Sequence, residues 1–109
     1  MEVNEYQKKA MKSLNPSLNN DEVLLNGVMG LCGESGEVID ILKKHLSQGH
    51  ELNREKMIEE LGDVAWYLAE TAYALGVELE TVLINNLEKL LKRYPEGFNV
   101  ENSINRSKE

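Results

Sequence analysis

Residues 23–75 decide the fold, and they read VLLNGVMGLCGESGEVIDILKKHLSQGHELNREKMIEELGDVAWYLAETAYAL. Apolar residues recur at spacings of three and four on both sides of an interruption at Gly49, which is typical of two amphipathic helices. The pattern predicts one helix from residue 20 or 21 to about 47 and another over about 54–75. Because a glycine-containing connection this short joins them, we expect the two helices to pack as antiparallel neighbours.

The remaining segments complete an all-α chain. Asn4 is a candidate cap for a helix over 5–14, and residues 15–20 have the composition of a loop. A further helix is predicted over 78–94, where Pro95 ends it. The predicted architecture is therefore a four- to five-helix bundle with an antiparallel central hairpin. It comprises one domain over residues 1–98 and a polar C-terminal tail over residues 99–109.

Composition narrows the classes of function. The chain has 109 residues and a formal net charge of −7, so nucleic acid is an unfavourable partner. No apolar run is long enough for a transmembrane span, and the acidic N-terminus lacks the apolar core of a secretory signal. The single cysteine, Cys32, cannot form an internal disulfide. We therefore expect a cytoplasmic protein without a membrane partner, and its small size favours homo-oligomerisation.

Two acidic pairs lie on the predicted central helices, each with a spacing of three residues. Glu34 and Glu37 flank the apolar stripe of the first helix, and Glu60 and Asp63 flank that of the second on the equivalent side. In an antiparallel hairpin the two pairs should enter one groove at a similar height. Since crowded carboxylates repel one another, a divalent cation is the simplest explanation. The alternative is that each pair belongs to a solvated helix face.

The type of ligand indicates the type of metal. Oxygen ligands alone suit Mg²⁺ or Mn²⁺, and Mg²⁺ commonly shares its ligand shell with substrate phosphates. The alternative in a helical bundle is a di-iron centre, which typically uses Glu-x-x-His motifs. His45 and His50 both miss that spacing. The pattern therefore favours Mg²⁺ and a phosphorylated substrate.

A second cluster near the end of the fourth predicted helix suits phosphate binding, and it comprises Asn86, Lys89, Arg93 and Tyr94. The alternative is that the basic residues only complement the helix dipole. The single tryptophan, Trp66, lies roughly opposite the apolar stripe. It is expected to make a packing or subunit contact, with stacking on a nucleobase as the functional alternative.

Three segments carry a resemblance to a known family: GESGE at 33–37, EELGDVAWY at 59–67 and NLEKLLKRYPEGF at 86–98. In this order they resemble the motifs of the MazG-like all-α nucleoside triphosphate pyrophosphohydrolases, and the likeness covers about residues 20–98. The resemblance implies cleavage of a nucleoside triphosphate between the α and β phosphates, giving a monophosphate and pyrophosphate, on canonical or damaged nucleotides. It also implies assembly as a homodimer or a dimer-based tetramer.

The resemblance further assigns roles to residues. Mg²⁺, with Mn²⁺ as a substitute, would be bound by the acidic quartet Glu34, Glu37, Glu60 and Asp63. Glu37 or Glu34 would orient the attacking water. Lys89, Arg93 and Tyr94 would hold the phosphates, and Asn86 would contact substrate or a metal-bound water. Many relatives have two adjacent acids at the start of the first motif, whereas Gly33 precedes Glu34 here.

Two other functions are compatible with the same residues. A non-catalytic helical oligomerisation module would leave the acidic flank solvated. A nucleotide sensor would bind nucleotide without cleaving it. The sequence leaves the preferred base and sugar open.

Overall fold

A computed structural model describes residues 1–108 of the chain. The regular secondary structure of these residues consists of helices. The α-helices are α1 (Val3–Ala10), α2 (Asn20–Ser47), α3 (Arg54–Ala74), α4 (Leu79–Arg93) and α5 (Val100–Ile104). Short 3₁₀ helices follow α1 at Met11–Ser13 and α5 at Asn105–Lys108. The described residues contain no strand, and no helix among them has the length and apolar character that crossing a bilayer requires. The predicted all-α class with a central hairpin is confirmed.

The central helices begin at side-chain caps. The Asn19 side chain accepts a hydrogen bond from the Glu22 backbone N–H at 2.9 Å, and the Glu22 carboxylate accepts one from the Asn19 N–H at 3.0 Å. This reciprocal pair satisfies N–H groups that have no partner within the helix. Asn53 caps α3 with a single bond, in which its side chain accepts from the Lys56 N–H at 3.1 Å. The predicted bounds of both helices therefore hold to within a residue or two.

The first helix departs from its predicted bounds. It begins at Val3 after Glu2, rather than after Asn4, and the Glu5 carboxylate accepts a hydrogen bond from the Glu2 N–H at 3.5 Å. Its last turn tightens into a 3₁₀ helix, where the Ser13 hydroxyl donates to the Ala10 carbonyl at 2.7 Å. Glu2 caps this helix in place of Asn4. It can do so because the Glu5 carboxylate, one turn later, accepts a hydrogen bond from the Glu2 N–H.

Close contact between α2 and α3 depends on glycine. A Cβ atom at Gly30 would overlap the ring of Tyr67, and one at Gly27 would lie 2.5 Å from the Thr71 hydroxyl oxygen. The connection between the helices turns at Gly49. Its φ of +72° is a backbone conformation that residues with a Cβ atom rarely adopt. These glycines hold the two backbones near enough for side chains on their flanks to meet.

The first compact unit of the chain spans Met1–Leu79, and polar contacts dock α1 on α3 within it. Gln7 is buried; its amide donates to the carbonyls of Ala69 at 3.2 Å and Val77 at 3.3 Å, and its oxygen accepts from the Leu79 N–H at 2.8 Å. The Trp66 indole N–H donates to the Ala10 carbonyl at 3.1 Å. Trp66 therefore makes the packing contact that its position on α3 suggested.

Much of the expected apolar stripe on α2 and α3 remains exposed in this unit. Leu25, Met29 and Ile39 on α2 are 60%, 64% and 68% exposed, and Leu61 on α3 is 53% exposed. The buried apolar residues are few and mostly small: Val23, Ala69, Ala72, Ala74 and Leu79. A surface this apolar is typical of an association face.

The second compact unit begins at Glu80 and contains most of α4 together with α5. The segment predicted as a polar tail is helical where the structure describes it: Asn99 caps α5 by accepting from the Asn102 N–H at 3.1 Å. The Asn99 side chain satisfies an N–H group that has no partner within α5, so this short helix forms without an apolar stripe. Glu109, the last residue of that segment, lies outside the described residues.

Candidate metal and nucleotide site

Three carboxylates from the central hairpin converge. Glu34 on α2 and Glu60 and Asp63 on α3 each offer one oxygen, and these oxygens all lie within 4.8 Å of one another. Because α2 and α3 are antiparallel and turn at Gly49, residues on either side of the turn reach the same height. We refer to Glu34, Glu60 and Asp63 as the three-carboxylate cluster.

A hydrogen bond between the carboxyl groups of Glu34 and Glu60 reduces the charge repulsion in the cluster. The pKa of Glu34 is raised from 4.5 to about 7, first by its hydrogen bond with Glu60, then by burial and by the charges of Glu60, Asp63 and Glu37. The same hydrogen bond, followed by that of Lys56, lowers the pKa of Glu60. Protonated Glu34 therefore donates to ionised Glu60. The raised pKa is that of a carboxyl group hydrogen-bonded to a second carboxyl group, partly removed from water and surrounded by further negative charges.

This geometry fits a hard divalent cation. Mg²⁺ binds oxygen at about 2.1 Å in octahedral geometry, so two of its ligand oxygens lie roughly 3–4 Å apart. Side-chain adjustments of less than about 1 Å would bring the three oxygens, now within 4.8 Å of one another, to that spacing. All donors are oxygen atoms, which is the ligand type that Mg²⁺ and Mn²⁺ prefer.

Glu37 lies one helical turn beyond Glu34 and outside the three-carboxylate cluster. It lines a neighbouring cavity of about 290 Å³ together with Asp40, Lys44 and Lys56. Its charge contributes to the raised pKa of Glu34, so the field of Glu37 still reaches the cluster. The structure thus brings three members of the predicted quartet together and leaves the fourth adjacent.

A cavity of about 400 Å³ opens beside the cluster and is lined by Glu34, Asp63, Trp66 and Tyr67. The two aromatic rings meet edge to face, with centroids 5.0 Å apart and planes at 87°. The indole is fixed by hydrogen bonds to the Ala10 carbonyl and, at 3.0 Å, to the Ser13 hydroxyl. Carboxylates and rigid aromatic surfaces are therefore combined in one cavity.

Two contributors to the site were missed by the sequence reasoning. Lys56 places its ammonium nitrogen 3.1 Å from a Glu60 oxygen, a contact that the i, i+4 spacing could have revealed. Tyr6 reaches the field of Asp63 from α1: burial raises the pKa of its hydroxyl, and the charge of Asp63 adds to the effect. No local signal in the sequence links Tyr6 to Asp63, because the contact depends on how α1 docks.

The predicted phosphate-binding residues belong to the second unit. Asn86 and Lys89 are exposed on α4, and Arg93 and Tyr94 are half-buried at its end. The Arg93 guanidinium lies 5.9 Å from the centre of the Tyr94 ring, which packs in turn on Phe98 with centroids 5.5 Å apart. Within this unit the end of α4 therefore presents cationic and aromatic groups together.

Comparisons with known proteins agree with the class that this helical hairpin and its acidic cluster define. The family model of the MazG nucleotide pyrophosphohydrolase domain matches residues 25–98, a range that contains every predicted site residue. The chain belongs to this family, which confirms the resemblance stated from the motifs.

One similar curated protein is the gene 37 protein of Mycobacterium phage L5. It is 44% identical over 73 residues, which cover 63% of this chain and 64% of the phage protein. The chain thus matches somewhat less than two thirds of that relative's length. No solved structure matches the chain.

Proposed function

We propose that the chain is a Mg²⁺-dependent nucleoside triphosphate pyrophosphohydrolase that converts (d)NTP to (d)NMP and pyrophosphate, in the service of nucleotide-pool sanitation. The three-carboxylate cluster carries this proposal. Oxygens of Glu34, Glu60 and Asp63 lie within 4.8 Å of one another in a domain of the MazG family. Such crowding opposes folding unless a cation or a proton neutralises it.

The cluster and Glu37 would hold the metal. Bound Mg²⁺, or Mn²⁺ in its place, would supply charge neutralisation for the reacting phosphates. Glu60 is nearly buried and makes an ion pair with Lys56, so its carboxylate is held in a fixed position. Asp63 and Glu34 face the 400 Å³ cavity, where substrate phosphates would enter.

Glu37 is the candidate for orienting the attacking water, with Glu34 as the alternative. Glu34 belongs to the three-carboxylate cluster, so its carboxylate would be engaged by the bound cation. Glu37 is exposed, lies one turn away and is outside the cluster. A carboxylate that is not needed for structure can accept the proton of a water within hydrogen-bond reach.

The end of α4 would hold the phosphate tail. Lys89 and Arg93 supply the positive charge, Tyr94 and Asn86 supply hydrogen-bonding groups, and all four lie on or directly after one helix. Cationic side chains of this kind stabilise the charge that a phosphoryl-transfer reaction concentrates on phosphate oxygens.

The proposal includes assembly as a homodimer or a dimer-based tetramer. Leu25, Met29 and Leu61 are more than half exposed on the helices that carry the acidic residues. Burial of these side chains between subunits would stabilise the assembly by roughly 25 cal/mol for each Å² of apolar surface removed from water.

Product analysis tests the proposal. The protein is incubated with canonical, oxidised and methylated nucleoside triphosphates, with and without Mg²⁺, and the products are followed by phosphorus-31 NMR. Metal-dependent appearance of pyrophosphate and monophosphate is expected. Release of orthophosphate contradicts the predicted bond cleavage. Binding without any product identifies a nucleotide sensor, and neither binding nor product identifies an oligomerisation module.

A further inference from the structure

Lys56 places a positive charge at the buried member of the three-carboxylate cluster. Its ammonium nitrogen lies 3.1 Å from Glu60 Oε1 and 3.7 Å from Glu59 Oε2. The Lys56 side chain is about half exposed, whereas that of Glu60 is 9% exposed. The lysine therefore reaches from solvent toward a carboxylate that has little access to water.

This contact matters because an ionised carboxylate with little access to water needs a partner. Without one, the loss of hydration disfavours the charged form. The Lys56 ammonium lies 3.1 Å from Glu60 Oε1, so it pairs directly with this carboxylate. The pair thus provides a cation of the chain's own beside a carboxylate that the metal would also bind.

We infer that Lys56 is an intramolecular counter-cation of the metal site, which neutralises Glu60 in the metal-free protein and weakens metal binding. The inference rests on the proposed function, because it concerns the same carboxylates. A unit positive charge within about 5 Å of a divalent ion repels it even at the dielectric constant of a protein surface. Screening by salt limits the effect, and we expect about a tenfold change in affinity.

A matched pair of lysines provides the experiment. Lys56 and Lys44 line the same cavity, but Lys44 pairs with Asp40 at 3.0 Å instead of with the cluster. Mn²⁺ and Mg²⁺ are titrated into wild type, Lys56→Met, Lys56→Arg and Lys44→Met by calorimetry at about pH 8, above the pKa of about 7 of Glu34. Lys56→Met should bind metal about tenfold more tightly, while the other two variants should stay within about twofold of wild type.

Thermal unfolding provides a second measurement. Lys56→Met should melt lower than wild type without metal, because Glu60 loses its partner, and should gain more than wild type when Mg²⁺ is added. A side chain with a merely structural role would lower both melting temperatures equally. Lys56→Gln replaces Lys56→Met if the latter does not fold.

Unchanged or weaker metal binding by a folded Lys56→Met or Lys56→Gln protein overturns the inference and leaves the proposed function intact. Absence of metal binding by wild type itself overturns the proposed metal site instead. The two failures are therefore distinguishable in one set of titrations.

Discussion

Glu34 on α2 and Glu60 on α3 bring carboxylate oxygens within 4.8 Å of each other across the hairpin, and the hydrogen bond between the two carboxyl groups raises the pKa of Glu34 and lowers that of Glu60. Because the pKa of Glu34 is raised, the folded protein binds the proton of this carboxyl group more tightly than the unfolded chain does. Ionisation of Glu34 therefore destabilises the folded protein relative to the unfolded chain. A cation bound at the cluster would neutralise the added negative charge and offset this loss of stability.

The first prediction concerns pH. Between the ordinary value of 4.5 and the folded value of about 7, the folded state binds more protons at Glu34 than the unfolded state, so the metal-free protein loses stability as pH rises through this window. The lowered pKa of Glu60 acts in the opposite sense and only on acidification below its ordinary value.

Melting temperatures measured in chelator across this window test the prediction. Glu34→Gln should flatten the decline seen in wild type, because its side chain cannot ionise. Glu55→Gln, an exposed position in the first turn of α3, serves as the control and should decline as wild type does. An identical decline in Glu34→Gln and wild type would show that Glu34 does not carry the proton released in this window.

The second prediction concerns catalysis. Asp63→Asn keeps the size of the side chain but removes a charge from the cluster, so we expect pyrophosphate release to fall by about 100-fold or more at saturating Mg²⁺. The melting temperature without metal should stay the same or rise, because one repulsive charge is gone.

Asp40→Asn is the matched control for that variant. Asp40 is an acid on α2 that pairs with Lys44 at 3.0 Å, outside the three-carboxylate cluster. Its activity should stay within about threefold of wild type, since an exposed ion pair contributes little. Equal activity of Asp63→Asn and Asp40→Asn, measured as initial rates, argues against a catalytic role for the cluster.

The third prediction concerns helix contact. Gly30→Ala should destabilise the protein by about 1–3 kcal/mol, because the added methyl group would overlap the Tyr67 ring and force the helices apart. Activity should fall as well, since Tyr67 lines the cavity beside Glu34 and Asp63.

Gly33→Ala provides the control on the same helix. Nothing lies within 4 Å of a Cβ at Gly33, so the substitution should stabilise α2 by up to about 1 kcal/mol through helix propensity alone. The free energy of unfolding of both variants is measured by urea denaturation. If the two alanines change stability in the same direction, close packing at Gly30 is not what holds the hairpin together.

The fourth prediction concerns assembly. Light scattering coupled to gel filtration should give wild type the mass of a dimer or tetramer. Leu25→Glu combined with Met29→Glu should yield monomers, because both side chains are exposed on one face of α2 and a buried charge is costly. Lys43→Glu, at another exposed position of α2, should leave the mass unchanged. A monomeric wild type would contradict the proposed assembly.

The sequence predicted the central hairpin well because its signals are local. Apolar spacing marks the helix faces, Asn19 and Asn53 supply caps, and Gly49 supplies the turn. The convergence of Glu34 with Asp63 follows from the same geometry, since a short turn fixes the register of two antiparallel helices.

Contacts that depend on tertiary packing were not predictable in this way. Tyr6 lies near Asp63 only because buried Gln7 docks α1 on α3. Glu70 on α3 is fully buried, and its two oxygens accept from the Asn26 amide at 2.9 and 2.8 Å. Helix periodicity alone does not reveal which polar residue has a partner across the interface.

The most direct test of a metal-binding acidic cluster is a crystal structure determined in millimolar Mn²⁺, with anomalous scattering used to locate the ion. We expect an anomalous peak about 2 Å from an oxygen each of Glu34, Glu60 and Asp63. A crystal that contains Mn²⁺ at other positions but none at these three carboxylates would contradict a metal-binding role for the cluster.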